Sequence, residues 1–455
     1  MASACRGTSV RRLRGAVLAV ALAVTPVGCS APTAVSSGRA TPVPSGSPGA
    51  SGSSASASAA ASVPADPGAA ALPAGFRFRQ LTRSLGPGAP VRLTVLSVAP
   101  DAKVRVTGVH GADMTRSDTV RTLANRSDAL AAINGTYFDI RTGHHHSGYE
   151  GDPIGLYAEH GRVLSEALDG RPALVLGYTG GRLEARVAEV ATSGGLRAAD
   201  GAVRELDGVN RVPGRILGCG GTGGDRLATT GRLQKKPFEG LCTDPDEVVS
   251  FAPEWGGDTP PGTEGSTETL LAADGRVLRL RTPAGGPLPE GGSALYGIGT
   301  GAAWLRAHAV PGTRMTVSER ITAPAGLPLP GPVETAVGGS ARLLRAGAFD
   351  PAATALLGRR REPRTVAGVT PDGTLLLIAV DGRSRHESVG ATPAEAARLA
   401  RSLGAVDAVN LDGGGSTSVV LRGLLRNRPR DTEDGPVRER PVADGLAVLP
   451  DEPMK

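Results

Sequence analysis

Residues 408–418 read "AVNLDGGGSTS": an apolar approach, an asparagine, a carboxylate, three residues without side chains, then a run of hydroxyls. A carboxylate fixed at the end of an apolar run, as Asp412 is, supplies acid, base or metal-ligand chemistry. Gly413, Gly414 and Gly415 let the backbone approach a ligand closely and present successive N–H groups to an anion. The plainer reading is a tight turn carrying a solvated Asp. No Gly-Lys-Ser/Thr follows, so this is not a Walker phosphate loop, and it is not a dinucleotide fingerprint. A second stretch repeats the pattern. Residues 129–139, "ALAAINGTYFD", end an apolar run at Asn134 and Gly135, with Asp139 just beyond. Asn-Gly alone marks a turn, but two such endings together predict groups converging on one pocket.

These residues must be held by regular elements. "GTLLLIAVDGR" at 373–383 is a continuous apolar run of the kind that forms a buried strand. "ATPAEAARLARSLGA" at 391–405 is a helix with Thr392 as N-cap, Pro393 at its first position, Glu395 completing a capping box and Gly404 stopping it. "VDAVNLD" and "STSVVLRG" follow as strands, which predicts a β-α-β crossover unit with Asp381 and Asp412 at strand ends. Upstream, "VRLTVLSV" and "KVRVTGV" alternate as half-buried strands do. "RPALVLGY" and "RLEARVAEV" form a hairpin around Gly180 and Gly181, and "TRMTVSERI" is strand-like. The fold class is therefore α+β (mixed α/β), strand-rich with few helices and a C-terminal β-α-β crossover unit.

The chain has 455 residues, formal charge +6 and 3% aromatic side chains. Its basic residues are mostly Arg and are spread out, without the clustered face that nucleic acid requires; a lean toward anionic partners remains. Arg11, Arg12 and Arg14 precede a short apolar segment and "VGCS", an export signal in which Gly28-Cys29 matches a bacterial lipobox apart from Pro26. Residues 1–29 are read as this leader, with Cys29 lipidated, and residues 30–74, rich in Ser, Ala, Pro and Gly, as a disordered tether. The expected location is outside the cell, lipid-anchored on the outer face of the membrane or secreted. Cys219 and Cys242 bound a Gly-rich insertion at about 215–244; in an exported chain they pair as a disulfide, the alternative being a two-cysteine metal site that no nearby His completes. The histidines of "GHHHSGYEGD" at 143–152 are read as a polar surface loop, since consecutive side chains rarely converge on one ion. The sequence points to no particular cofactor, and a divalent cation is left open.

"AAINGTYFD", "VNRVPG", "EPRTVAGVTPDGTLLLIAVDGR", "LGAVDAVNLDGGGSTSVVLRG" and "RERPVADGLAV" together resemble the phosphodiester glycosidase family, in scattered blocks over residues 90–450. Two positions depart from the family pattern: Asn134-Gly135-Thr136-Tyr137-Phe138 stands where Asn-Gly-Gly-Phe-Phe is usual, and Ser340 where relatives often carry proline. The resemblance implies hydrolysis of a glycosidic bond whose leaving group is a phosphodiester, with residues 75–455 as the catalytic domain and a glycan or sugar phosphodiester as partner. A phosphate leaving group needs little acid assistance, so Arg364, Arg383 and Arg440 become candidates to stabilise it. Asp412 is the first candidate for activating water or supporting the oxocarbenium-like sugar, and Asp139 the second. Asn134, Gly135, Thr365, Asn410, Gly413, Gly414, Gly415, Ser416 and Thr417 are candidate substrate contacts. Asp381 joins them, though a turn-capping role suits it better. The rival expectation is a lipoprotein that binds an anionic wall glycopolymer without cleaving it.

Overall fold

A computed structural model describes residues 71–139, 151–219, 224–234 and 238–451. The leader, Cys29, nearly all of the tether and the three histidines lie outside the described residues.

The run "LLLIAV" has no polar alternation, and it forms strand Leu375–Val380, buried at every position. It lies between Pro90–Val98 and Arg364–Val369, antiparallel to both. The whole sheet runs Phe76–Ser84, Pro90–Val98, Leu375–Val380, Arg364–Val369, Asp407–Asn410, Ala341–Arg345, Ala348–Phe349. Helix Pro393–Ser402 carries the predicted cap: Thr392 accepts from Glu395 N–H, and the Glu395 carboxylate accepts from Thr392 N–H. Its inner face, Ala396, Ala397, Leu399 and Ala400, joins Leu343, Leu344, Val366 and Ile378 in one core cluster. Each such leucine or isoleucine side chain contributes about 1.5–3 kcal/mol through burial.

The crossover differs from expectation. The helix links Leu375–Val380 to Asp407–Asn410, but these strands are not neighbours; Arg364–Val369 lies between them, antiparallel to both. Nor does "STSVVLRG" continue that sheet. The glycine turn reverses the chain, and Val419–Leu421 pairs with Ala131–Asn134 in a second sheet ordered Val104–His110, Asp444–Pro450, Ala131–Asn134, Val419–Leu421, Leu424–Leu425. The strand at 90–98 is also buried more fully than period-2 alternation implied. Val91, Leu93 and Val95 pack in the cluster with the capped helix, while Leu96 and Val98 pack in the larger core cluster.

Elsewhere the expected hairpin forms, Arg171–Thr179 against Arg182–Arg197, and Thr316–Thr322 pairs with the long strand of that hairpin. There are four α-helices among the described residues, so the strand-rich α+β class holds. Cys219 and Cys242 are disulfide-bonded. Between them run parts of a three-stranded sheet, ordered Ile216–Cys219, Phe238–Thr243, Arg226–Leu227. Contacts with the core already occur before residue 75: Leu72 packs against the main core, and Ala74 O accepts from Lys103 N–H at 2.8 Å.

Candidate functional site

Strands Asp407–Asn410 and Ala131–Asn134 belong to different sheets, yet their ends meet. Asn134 Nδ2 donates to Asp412 O at 2.7 Å, and Asp412 N–H donates to Gly135 O at 3.0 Å. Asn134 Oδ1 accepts from Thr365 Oγ1 at 2.8 Å and from Ser418 N–H at 3.1 Å. Thr365 Oγ1 lies 3.3 Å from Thr417 Oγ1. Asn134, Thr365 and Thr417 are fully buried, so these three, expected as substrate contacts, use their side chains on one another and on the turn that carries Asp412. The two Asn-ended strands do converge, and what they build together is a mount for a carboxylate.

Burial raises the Asp412 carboxyl to about 7, because the charged form loses hydration. Its own Gly413 N–H at 2.9 Å, the nearby Ser416 hydroxyl and the Arg440 charge pull the other way. Ser416 Oγ is close enough to favour the carboxylate but makes no hydrogen bond of full geometry. The Asp444 charge adds to the upward push. Asp444 is itself raised to about 7, by burial first. It accepts from Thr136 N–H at 2.8 Å and from the Thr136 hydroxyl, while its backbone carbonyl accepts from Gly135 N–H at 3.1 Å. Gly135 therefore bridges the two acids. A side chain there would collide with the Asp444 carboxylate, which is why this position needs glycine.

The glycine turn differs from a free anion nest. Gly413 N–H is turned to Asp412, and Gly414 N–H donates to Pro363 O at 2.9 Å. Missing side chains admit cations instead. A Cβ on Gly414, which sits at φ +59°, would lie 3.1 Å from Arg383 Nη2, and one on Gly415 would meet the Asp431 carboxylate first and Arg440 Nη2 at 2.7 Å, so the space beside Gly415 holds an ion pair. Arg383 is pinned by Glu362 at 2.9 Å and by the carbonyls of Arg430 and Asp431; Arg440 pairs with Asp431. Arg364 is buried and donates to Ala391 O at 3.0 Å and Arg360 O at 3.3 Å. Desolvation lowers its pKa, against the pull of the nearby Glu362 charge, and among the described residues its hydrogen bonds go to backbone oxygens.

Asn410 opens the other side of the site. Its Nδ2 donates to Tyr137 Oη at 2.9 Å and Ser340 Oγ at 3.2 Å, and Tyr137 Oη lies 3.1 Å from Ser340 Oγ. Asn410 Oδ1 is buried and accepts no hydrogen bond from the described residues. Tyr137 and Ser340 border a cavity of about 350 Å³ lined also by Arg171, Ile154, Leu168, Leu217, Gly218 and Leu357. Arg171 donates to Ser340 O at 2.7 Å. Asp139 is not beside Asp412. Its carboxylate lies 4.0 Å from Arg215, and Asp139 and Arg215 both act on the Asp152 carboxyl, which burial raises well above the usual range. Asp381 is buried and accepts from Asn427 Nδ2 at 2.9 Å and Arg428 N–H at 3.0 Å. It holds that segment in place, the turn-capping role.

Asp225, Asp244 and Glu247 are the acidic residues among those described that come together with metal-like spacing. Glu247, however, is bound to Arg211 and Gly214 N–H, and Asp244 to the N–H groups of Gly224 and Asp246. The cluster is thus satisfied from within the protein. Sequence reasoning missed Asp444, Tyr137 and Arg171 as site residues. The first two stood inside quoted motifs, in "PVADG" and "NGTYF", and could have been found there; Arg171 carried no local signal.

Residues 267–449 match the family model described as phosphodiester glycosidase. Two curated proteins align over shorter stretches. A prophage-derived uncharacterized protein of Bacillus subtilis is 40% identical over 93 residues, 20% of this chain and 14% of the relative. The mouse N-acetylglucosamine-1-phosphodiester alpha-N-acetylglucosaminidase is 41% identical over 68 residues, 15% of this chain and 13% of the relative. The chain thus spans only a small part of those relatives. Among solved structures, a Burkholderia pseudomallei protein assigned as exported superposes with TM-score 0.68 at 30% identity, covering 80% of this chain and 74% of the other. A hypothetical protein from Synechocystis superposes with TM-score 0.60 at 19% identity over 82% of this chain and 62% of the other, a likeness of fold.

Proposed function

We propose that this chain, whose residues 267–449 belong to the phosphodiester glycosidase family, hydrolyses the glycosidic bond of a sugar-1-phosphodiester on an extracellular or cell-surface glycoconjugate. The observation that carries the reading is the mount built around Asp412: a carboxyl raised to about 7, fixed by Asn134 and Gly135, with cationic side chains bordering the turn that follows it.

Asp412 acts as the general base. Its carboxylate takes a proton from water as the water oxygen bonds to the anomeric carbon. The bond from that carbon to the phosphate oxygen breaks, and the phosphomonoester leaves with the bonding pair. Such a leaving group is a weak base and needs charge stabilisation more than a proton. Arg364, which has no carboxylate partner among the described residues, is the first candidate for that; Arg383 and Arg440 already hold carboxylates and contribute through the field they set across the glycine turn. A base with a pKa near the working pH is well matched to this task. Asp444 is a positioning residue, acting through Thr136 and Gly135. Export is supported by the leader, the disulfide and the exported assignment of the Burkholderia relative. Lipid anchoring at Cys29 rests on the sequence alone.

The test is turnover of an N-acetylglucosamine-1-phosphodiester and of related hexose-1-phosphodiesters by the purified protein, followed by release of reducing sugar. Turnover supports the reading. Binding of the diesters without any release of sugar would favour the non-catalytic glycopolymer binder.

A further inference from the structure

The cavity beside Tyr137 is lined by two groups of side chains of different chemistry. One is polar: Tyr137 and Ser340 meet Asn410, and Arg171, buried to 7% exposure, is held on Ser340 O. The other is aliphatic. Ile154, Leu168, Leu217 and Leu357 line it, and each of the four remains half-exposed. Apolar side chains gathered round one hollow without closing it leave apolar area in contact with water, and covering it is favourable. A volume of about 350 Å³ falls in the range of small-molecule sites.

One wall belongs to the cysteine-bounded insertion. Leu217 and Gly218 directly precede Cys219, and Gly240 lies two residues before Cys242. Gly218 sits at φ +60°, and a Cβ there would approach within 2.7 Å of Ile154 Cγ2 and 3.1 Å of Leu168 Cδ1. Gly218 can therefore pack against Ile154 and Leu168 at this wall only without a side chain, and the disulfide joins Cys219 to Cys242.

From this geometry we infer that the cavity is a subsite for an alkyl group esterified to phosphate: the aliphatic group takes the hydrocarbon aglycone, and the polar group with Arg171 takes the phosphate. The inference rests on the phosphodiester reading of the neighbouring site and names the aglycone class that reading leaves open. The disulfide-closed insertion then sets aglycone preference.

The experiment uses probes without a glycosidic bond, so that it does not depend on catalysis. Dimethyl phosphate and dibutyl phosphate are titrated into the full chain and followed by NMR. Dibutyl phosphate should bind at least about tenfold more tightly, since its longer chains place extra methylenes in the cavity. Leu217→Ser with Leu168→Ser should erase that preference by lowering the affinity for dibutyl phosphate toward that for dimethyl phosphate. Both positions are partly exposed, and a melting curve checks that the variant is folded; Leu357→Ser alone, on a different element, should reduce the preference in the same direction. Equal binding of the two probes, no binding of either, or a preference that survives the double variant overturns the inference. Failure of sugar release in the turnover assay, with the alkyl preference intact, would instead count against the hydrolase reading.

Discussion

Asn134 donates a 2.7 Å hydrogen bond to the backbone carbonyl of Asp412 across 278 residues of sequence. The contact joins the ends of two sheets, and everything chemical at the site is hung from it. The same side chain also accepts from Thr365 and Ser418, so it couples the carboxylate's position to both strands at once.

Asn134→Ala should therefore cost more than one hydrogen bond. It strands the Asp412 carbonyl and the Ser418 N–H, each costing about 1–3 kcal/mol when unsatisfied, and leaves the Thr365 hydroxyl with Thr417 alone. The expected result is a clearly lowered melting temperature and, in the fraction that folds, turnover reduced by roughly tenfold or more with little change in KM. A stable variant with full turnover would show that Asn134 does not position Asp412.

Stability should fall as pH rises from about 4 to about 7. Asp412 and Asp444 have folded-state values of about 7, above the ordinary carboxylate range, so the native state holds protons that the unfolded chain has already released. Their contribution is fully present below about 4 and is lost as pH passes through 7. Glu159, Glu189 and Glu395 are held below their usual values, and their contribution disappears in acid instead. Melting temperature should thus decline on both sides of the mildly acidic range, toward pH 7 as these two carboxyls ionise and in stronger acid as the three glutamates are protonated. In Asp444→Asn the decline between pH 5 and 8 should be shallower; an unchanged slope would contradict the burial account.

Turnover should rise with pH through about 7 and then level, the profile of a base that must be ionised. A profile that falls through 7 would mean that the protonated form of Asp412 is the active one.

Reducing agent should lower the melting temperature. The bond between Cys219 and Cys242 closes a loop of 23 residues, which restricts the unfolded chain by about 3 kcal/mol in the loop-entropy treatment. No change in melting on full reduction, confirmed by thiol titration, would contradict a structural role. A chain starting at residue 71 should unfold as cooperatively as the full chain, because Leu72 is the first described side chain packed on the core. One starting at 75 should melt lower.

Much of this was legible in the sequence because it is local. The capped helix at 393–402 follows from Thr392, Pro393 and Glu395 alone, and the buried strand at 375–380 from its unbroken apolar run. The convergence of two Asn-ended strands was legible as a repeated pattern. What was not legible is partnership across sheets. Nothing local to Val419–Leu421 tells it to pair with Ala131–Asn134, and nothing local to Leu375–Val380 reveals that Arg364–Val369 lies between it and Asp407–Asn410. The surroundings of the acidic residues were hidden for the same reason. Asp139 follows the first motif closely in sequence but faces Arg215, whereas Asp444, more than three hundred residues away from Thr136, is brought against it by strand pairing.

The most direct measurement is the turnover of Asp412→Asn on a sugar-1-phosphodiester that the unaltered protein hydrolyses, with folding checked in parallel. Asn keeps the size of the side chain and suits a turn, but it cannot take a proton from water. The account predicts a loss of kcat on the order of a hundredfold or more with KM nearly unchanged. Near-normal kcat in the folded variant would contradict it, and would show that Asp412 only shapes the glycine turn.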